Sequence, residues 1–279
     1  MTISGKAAIA GVMGWPVAHS RSPRLHCFWL EAYGIDGAYV PLAVHPDGFE
    51  QALRALPAIG LRGCNVTLPH KEAALALADE ADAVATRIGA ANTVIVTDEG
   101  ALRVTNTDAF GFLENLDQRA PTWSAGKPAV VLGAGGASRA VIVALLEAGV
   151  CELRLANRTA ERADALAQEF GAGVVPVAWE ERDAALDGAG LLVNTTQLGM
   201  TGQPDLEIAL DPLDGDAVVY DLVYAPLETD LLYRAGARHL ATVDGLGMLL
   251  HQARPGFAAW FGREPEVTGA LYAYVAEGL

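Results

Sequence analysis

One stretch, PAVVLGAGGASRAVIVALLEAG from Pro128, constrains this chain more than any other. An apolar run with β-branched residues ends in a glycine-rich turn, and an alanine-rich run long enough for three helical turns follows. Strand, glycine turn, helix is the context that a dinucleotide fingerprint requires. Gly133 permits the tight turn and Gly135 lets a pyrophosphate approach the backbone. The helix N-terminus offers N–H groups that no earlier turn can use. Gly133, Ala134, Gly135, Gly136 and Ala137 are therefore candidate cofactor-binding residues. Ser138 takes the third fingerprint position and is small enough for close packing. SAM and flavin folds share this motif, so the turn alone does not select a ligand.

The next strand, ELRLANR, narrows the choice. Chains that bind NAD usually place an acid at its end for the ribose 2′-hydroxyl. Here the strand ends in Asn157, Arg158 and Thr159, with Arg162 one turn further on. Two cations and a hydroxyl suit a 2′-phosphate, which favours NADP(H) over NAD. The plainer alternative is a surface arginine at a strand end.

Further strands are expected at VVPVAW, LLVNTT, AVVYDLV and ATV, with helical stretches between several of them. TAERADALAQEFG is an amphipathic helix with Ala160, Ala163, Leu166 and Phe170 on its apolar face. Strands alternating with helices predict an α/β fold whose parallel sheet is covered on both faces. The first hundred residues alternate less regularly. AAIAGVMG, AYVPLAV and LRGCNVTLP read as strands. SPRLHCFWLEAYG, HPDGFEQALRALPAIG and KEAALALADEADAVATRIG read as helices, and ANTVIVTDEGALRVTNTD as a hairpin. A linker is expected near Gln118–Lys127. The tail is helical, with a break near Pro255.

Composition excludes several classes. Of 279 residues, 52% are hydrophobic and 19% charged, which supports a sizeable core rather than disorder. The formal charge of −15 opposes nucleic-acid binding, so any anionic ligand needs a local site. The longest apolar run, residues 129–150, is interrupted by Ser138, Arg139 and Glu147 and is no membrane span. No secretory leader is legible at the start, and Cys27, Cys64 and Cys151 form no CxxC pair. A cytoplasmic protein without a metal is the expectation, with a small-molecule substrate and a monomeric or homodimeric state.

A second polar constellation interrupts the apolar first half at NVTLPHK, residues 65–71. Val66 and Leu68 read as the end of a buried strand, and Pro69 stops it. Lysine is scarce here: Lys6, Lys71 and Lys127 stand against sixteen arginines. Lysine, unlike arginine, can be tuned to exchange its proton. In the hairpin, a loop at residues 98–100 with Gly100 left-handed would pair Thr97 with Ala101 and set Asn92 opposite Asn106. Asp108 follows directly. A Lys71–Asp108 pair suits hydride transfer to a ketone, where the developing alkoxide needs a proton and a nearby positive charge. Read blandly, the two form a surface ion pair and the asparagines cap turns. Upstream, Ser22 before Pro23 reads as a helix N-cap, and Ser20 points the same way. Two hydroxyls at a helix start form a neutral site for a carboxylate.

Taken in order, GWPVAHSRSP, NVTLPHK, GAANTV, NTDAFGF, GAGGASRA, NRT, NTTQLGM, DLVYAPLETDLL and GLGMLLHQA resemble the shikimate dehydrogenase family over nearly the whole chain. The resemblance implies NADPH-dependent reduction of 3-dehydroshikimate to shikimate, a step towards chorismate and the aromatic amino acids. It implies a substrate domain of residues 1–108 and 246–279, whose C-terminal helices fold back onto it, and a Rossmann NADP-binding domain of residues 109–245. Ser20 and Ser22 would hold the substrate carboxylate. Thr67, Asn92, Asp108, Tyr224 and Gln252 would bind hydroxyls or ring. Lys71 would be the acid/base residue paired with Asp108. Asn157, Arg158 and Thr159 would take the 2′-phosphate, and Gly245 and Met248 would lie near the nicotinamide. The alternatives are a quinate/shikimate dehydrogenase using NAD(H) and a non-catalytic NADP-binding regulator.

Overall fold

The computed structural model describes residues 3–279 and divides into two compact units. One runs to Thr107 and takes up Gln252–Val275; the other comprises Asp108–His251 and Ala276–Leu279.

The first unit contains β1 (Ala8–Gly14), α1 (Ser22–Ala32), β2 (Gly37–Ala43), α2 (Phe49–Ala55), β3 (Leu61–Val66), α3 (Lys71–Leu77), β4 (Glu80–Ala81), α4 (Ala83–Ile88), β5 (Thr93–Val96) and β6 (Leu102–Thr105). Its sheet has the order β2-β1-β3-β5-β6-β4. β1 runs parallel to β2 and β3, whereas β5 is antiparallel to both β3 and β6. One face packs on Phe49, Leu53 and Leu56 of the α2 segment together with Cys64, Val66, Val94 and Val104 from the strands.

The hairpin register is the expected one. The Thr97 N–H donates to the Ala101 carbonyl at 2.9 Å, Gly100 has φ +84°, and Thr93 pairs with Thr105. The single helix expected over KEAALALADEADAVATRIG is instead α3, a short strand and α4. Two aspartates break it. Asp79 Oδ2 accepts from the Leu102 N–H at 2.8 Å, pinning the chain to β6. Asp82 Oδ1 accepts from the Ala85 N–H at 2.8 Å and caps a new helix. Leu68 does not continue the buried strand: β3 ends at Val66, and Leu68 is 64% exposed.

The second unit contains α5 (Asp108–Arg119), β7 (Ala129–Leu132), α6 (Gly136–Glu147), β8 (Leu153–Ala156), α7 (Ala160–Phe170), β9 (Val174–Val177), β10 (Leu191–Asn194), β11 (Val218–Asp221), α8 (Asp230–Ala237) and β12 (Ala241–Val243). Every strand pairing is parallel, and the order is β12-β11-β10-β7-β8-β9. Numbered within the unit, this is 3-2-1-4-5-6 read from the β9 edge, the doubly wound Rossmann arrangement. β7 and β10 are wholly buried, as a strand covered on both faces must be. α5 belongs to this unit, so the break in the chain falls before Asp108 and not at the expected linker of residues 118–127.

α9 (Gly245–Phe261) and α10 (Gly269–Ala276) complete the chain. α9 runs through Pro255 without the expected break. Proline there removes one backbone donor, but Ala253, Phe257 and Trp260 on either side are buried, and their packing holds the helix together. Trp260 Nε1 donates to the Val94 carbonyl at 3.0 Å, and Trp29 Nε1 to the Glu266 carbonyl at 2.9 Å. The C-terminal helices thereby return to the first unit.

Candidate active site

In the first unit, the predicted substrate residues gather at the ends of β1, β3 and β5. The Thr67 N–H donates to the Met13 carbonyl at 2.9 Å, and the Val66 N–H to the Asn92 carbonyl at 2.8 Å. Thr67 and Asn92 therefore stand on adjoining strand ends. His70 fixes the turn between them and α3. Its Nε2 donates to the Val44 carbonyl at 2.8 Å, and its ring stacks on Phe49 with centroids 4.3 Å apart. Lys71 is half-buried and opens α3, and its carbonyl accepts from the Ala91 N–H at 2.9 Å.

Asn92 is the knot of this edge. Its Oδ1 accepts from the Thr107 N–H at 2.9 Å and from the Thr107 and Thr93 hydroxyls at 3.1 and 3.0 Å. Its Nδ2 donates to Gln252 Oε1 at 3.1 Å. One amide thus ties the hairpin, the residue preceding Asp108 and the returning helix together. The bland reading of Asn92 as a turn cap does not describe this. Asp108 is 8% exposed and opens α5, where the helix N-terminus favours a carboxylate. Asn106 likewise makes a long-range bond, donating through Nδ2 to the Ala90 carbonyl at 2.8 Å.

At the start of α1, which follows β1, the N-cap differs from expectation. Ser22 is the first residue of α1, the cap residue is Arg21, and no side chain caps the helix. Ser20 Oγ accepts from the Ser22 N–H at 3.3 Å. Ser22 is 7% exposed, and its hydroxyl lies beside the Tyr39 phenol oxygen. Sequence reasoning missed a buried polar chain behind these residues. Tyr39 Oη donates to Asn65 Oδ1 at 2.6 Å, and Asn65 Nδ2 donates to Thr93 Oγ1 at 3.1 Å and to the Asn92 carbonyl at 3.2 Å. The local signal was an asparagine inside an otherwise apolar strand, Cys64-Asn65-Val66. A buried asparagine must find partners.

In the second unit Gly133 has φ +106°, and a Cβ there would lie 2.7 Å from Thr195 Oγ1. Glycine is required at this turn on both counts. Two of the turn's N–H groups are used internally. Ala134 donates to Asn157 Oδ1 at 3.0 Å and Gly135 to Ser138 Oγ at 3.1 Å. Among the described residues, the N–H groups of Gly136 and Ala137 at the start of α6 have no protein acceptor. Gly135 and Gly136 are exposed, and a Cβ on either would meet open space. An anion is therefore offered fewer donors than the motif alone implies, but an open approach.

Asn157 is engaged at both ends: besides the Ala134 contact, its Nδ2 donates to the Thr159 carbonyl at 2.7 Å. It bridges the glycine turn to the β8–α7 turn. Arg158, Thr159 and Arg162 are exposed there. Neither arginine enters an ion pair among the described residues, and the Thr159 hydroxyl does not cap α7. This is an open cationic corner with a hydroxyl, which fits a 2′-phosphate.

Tyr224 is half-buried in the loop after β11. That loop hangs from Asp221, another residue the sequence did not nominate. Asp221 Oδ1 accepts from the Val223 N–H at 3.0 Å and from Asn194 Nδ2 at 2.9 Å, and Oδ2 accepts from the Thr229 hydroxyl at 2.7 Å. Burial pushes its carboxyl up to about 6 against these three donors. Gly245 sits so close to the Leu222 carbonyl that any Cβ would collide with it. Met248 is half-buried one turn into α9.

A doubly wound sheet, a glycine turn opening a helix and two exposed arginines at the end of the second strand define a Rossmann-type nucleotide-linked oxidoreductase. Comparison with known proteins makes this specific. The family described as "Shikimate dehydrogenase substrate binding domain" matches residues 12–94, and "Shikimate / quinate 5-dehydrogenase" matches residues 116–200. The chain is 62% identical to the shikimate dehydrogenase (NADP(+)) of Rhodospirillum rubrum, over 98% of each chain. It resembles the crystal structure of shikimate 5-dehydrogenase from Thermus thermophilus in complex with NADP(H) and shikimate, with TM-score 0.87, 40% identity and coverage of 98% of this chain and 100% of that one. It also resembles the quinate dehydrogenase of Corynebacterium glutamicum in complex with NAD, with TM-score 0.89, 33% identity and coverage of 96% and 98%. The chain belongs to the shikimate dehydrogenase family. Among the described residues, no helix is long and apolar enough to cross a membrane.

Proposed function

We propose that the chain catalyses the reversible, NADPH-dependent reduction of 3-dehydroshikimate to shikimate. The single observation that carries the residue assignment is the knot around Asn92. It joins Gln252 to the strand ends bearing Thr67 and to the peptide that leads into Asp108. Ser20 and Ser22 hold the substrate carboxylate, and Thr67, Asn92, Tyr224 and Gln252 bind its hydroxyls or ring. Protonated Lys71 donates its proton to the oxygen that becomes the alkoxide and recovers it in the oxidation direction. Asp108 keeps the ammonium charged and oriented.

Bound NADPH supplies the hydride. The chain's own contribution to holding it is the open glycine turn of residues 133–137, with Arg158, Thr159 and Arg162 for the 2′-phosphate and Gly245 and Met248 towards the nicotinamide. Asn157 serves this site by fixing the two turns rather than through a bare amide. The substrate domain is assigned to residues 1–108 and 246–279, and the cofactor domain to 109–245. A cytoplasmic monomer or homodimer completes the reading; the unpaired thiols of Cys27, Cys64 and Cys151 fit a reducing compartment.

A matrix of initial rates tests the proposal: shikimate and quinate, each with NADP+ and NAD+. The expected maximum is shikimate with NADP+. A maximum for quinate with NAD+ would transfer the chain to the quinate branch. A folded, NADP-binding protein inert on both substrates would make it a regulator.

A further inference from the structure

Tyr39 lies on β2, behind the residues that the proposed function assigns to substrate, and is 3% exposed. Its ring is clamped by His26, which stacks on it with centroids 3.9 Å apart and planes 5° from parallel. Burial pushes the His26 imidazole down to about 3, so this neighbour is neutral at working pH. Among the described residues neither ring nitrogen of His26 makes a hydrogen bond of good geometry, although the Asn65 side chain lies beside the ring. Trp260 and Phe257 from α9 close the other sides of the His26 ring. The Tyr39 phenol therefore has little freedom, and burial keeps it protonated by raising its pKa well above the usual value.

A fixed phenol at that place meets two groups. On one side lies the Ser22 hydroxyl. On the other, the phenol donates to Asn65, from which the hydrogen bonds continue through Thr93 to Asn92 and on to Gln252. We propose that Tyr39 is a positioning residue for substrate: it holds the carboxylate end at Ser22 and the hydroxyl end at Asn92 and Gln252 in fixed register through one buried chain of hydrogen bonds. The inference rests on the assignment of Ser22 and Asn92 to the substrate. It concerns a side chain that touches neither substrate nor cofactor. Removing the phenol leaves Asn65 Oδ1 buried without its donor, so Asn65 would turn to seek another and pull on Thr93.

The test is steady-state kinetics of Tyr39→Phe, which keeps the ring and its stack on His26. The expected result is a KM for shikimate raised about tenfold, the size of effect that one buried hydrogen bond carries. The kcat should stay within about threefold and NADP+ affinity within about twofold. A purely structural role would lower kcat through loss of active protein and leave KM alone. An unchanged KM in a folded variant, or a fall in kcat without a change in KM, overturns the inference. Thr93→Val cuts the same chain one link further on and should give the same split if Tyr39→Phe does not fold. Loss of fold in both overturns it as well. Ser22→Ala separates the two levels. If Ser22→Ala leaves the shikimate KM unchanged, the substrate assignment fails and this inference falls with it. If Ser22→Ala raises KM while Tyr39→Phe does not, only the positioning role fails.

Discussion

Replacing Asn157 with alanine separates a residue that builds the cofactor site from one that reads the cofactor. The substitution removes two hydrogen bonds, from the Ala134 N–H at 3.0 Å and to the Thr159 carbonyl at 2.7 Å. Each is partly exposed, so water replaces some of what is lost. At about 0.5–1.5 kcal/mol per bond, the glycine turn and the β8–α7 turn lose roughly 1–3 kcal/mol of mutual restraint. If binding must restore that order, affinity falls about 5- to 150-fold. In the proposed site the pyrophosphate common to both dinucleotides would rest on the glycine turn, so NADP+ and NAD+ should weaken by similar factors. Arg158→Ala should instead weaken NADP+ by about tenfold or more and leave NAD+ nearly unchanged, because only the former carries a 2′-phosphate. Isothermal titration of both cofactors against both variants makes the comparison. Selective loss of NADP+ in Asn157→Ala, with NAD+ unaffected, would refute the bridging role and return Asn157 to direct phosphate contact.

Two further outcomes concern stability. Phe257, wholly buried and packed on His26, Trp29 and Phe261, fastens the returning helix to the first unit. Phe257→Ala should cost about 3–5 kcal/mol in denaturant unfolding, and a loss under about 1 kcal/mol would mean that α9 is held by other contacts. Asp221 titrates near 6 in the folded chain against an ordinary 3.8. A raised acid pKa adds stability that is fully present below the unfolded pKa and lost as pH rises through the folded one. The stability of the native chain relative to Asp221→Ala should therefore shrink by roughly 2–3 kcal/mol between about pH 4 and pH 7. A gap that widens over that interval would contradict the burial effect.

The Rossmann half was legible because its signals are local. A glycine turn between an apolar strand and helix names its own neighbours, and strands buried on both faces read as unbroken apolar runs. The hairpin register was legible for the same reason, since Gly100 sets the loop and the loop sets every pair behind it. The errors came where a side chain overruled periodicity. Asp79 and Asp82 each took a backbone N–H and split a helix whose apolar spacing was otherwise continuous. Pro255 failed to break α9 because packing by Phe257 and Trp260 outweighed one lost donor. Ser22 satisfied every local rule for a cap, yet its hydroxyl turned inwards towards Tyr39. The chain from Tyr39 through Asn65 and Thr93 to Asn92 and Gln252 joins residues from opposite ends of the sequence. No window of sequence contains it.

The central claim is that Lys71 moves the proton in an NADP-linked oxidation of shikimate, and single-residue kinetics test it most directly. Turnover of shikimate with NADP+ is measured for Lys71→Ala alongside NADP+ affinity. The account predicts a fall in kcat of roughly 10²–10⁴-fold, the range of general acid–base help, with affinity for NADP+ within about twofold. Undiminished kcat in that variant would contradict it.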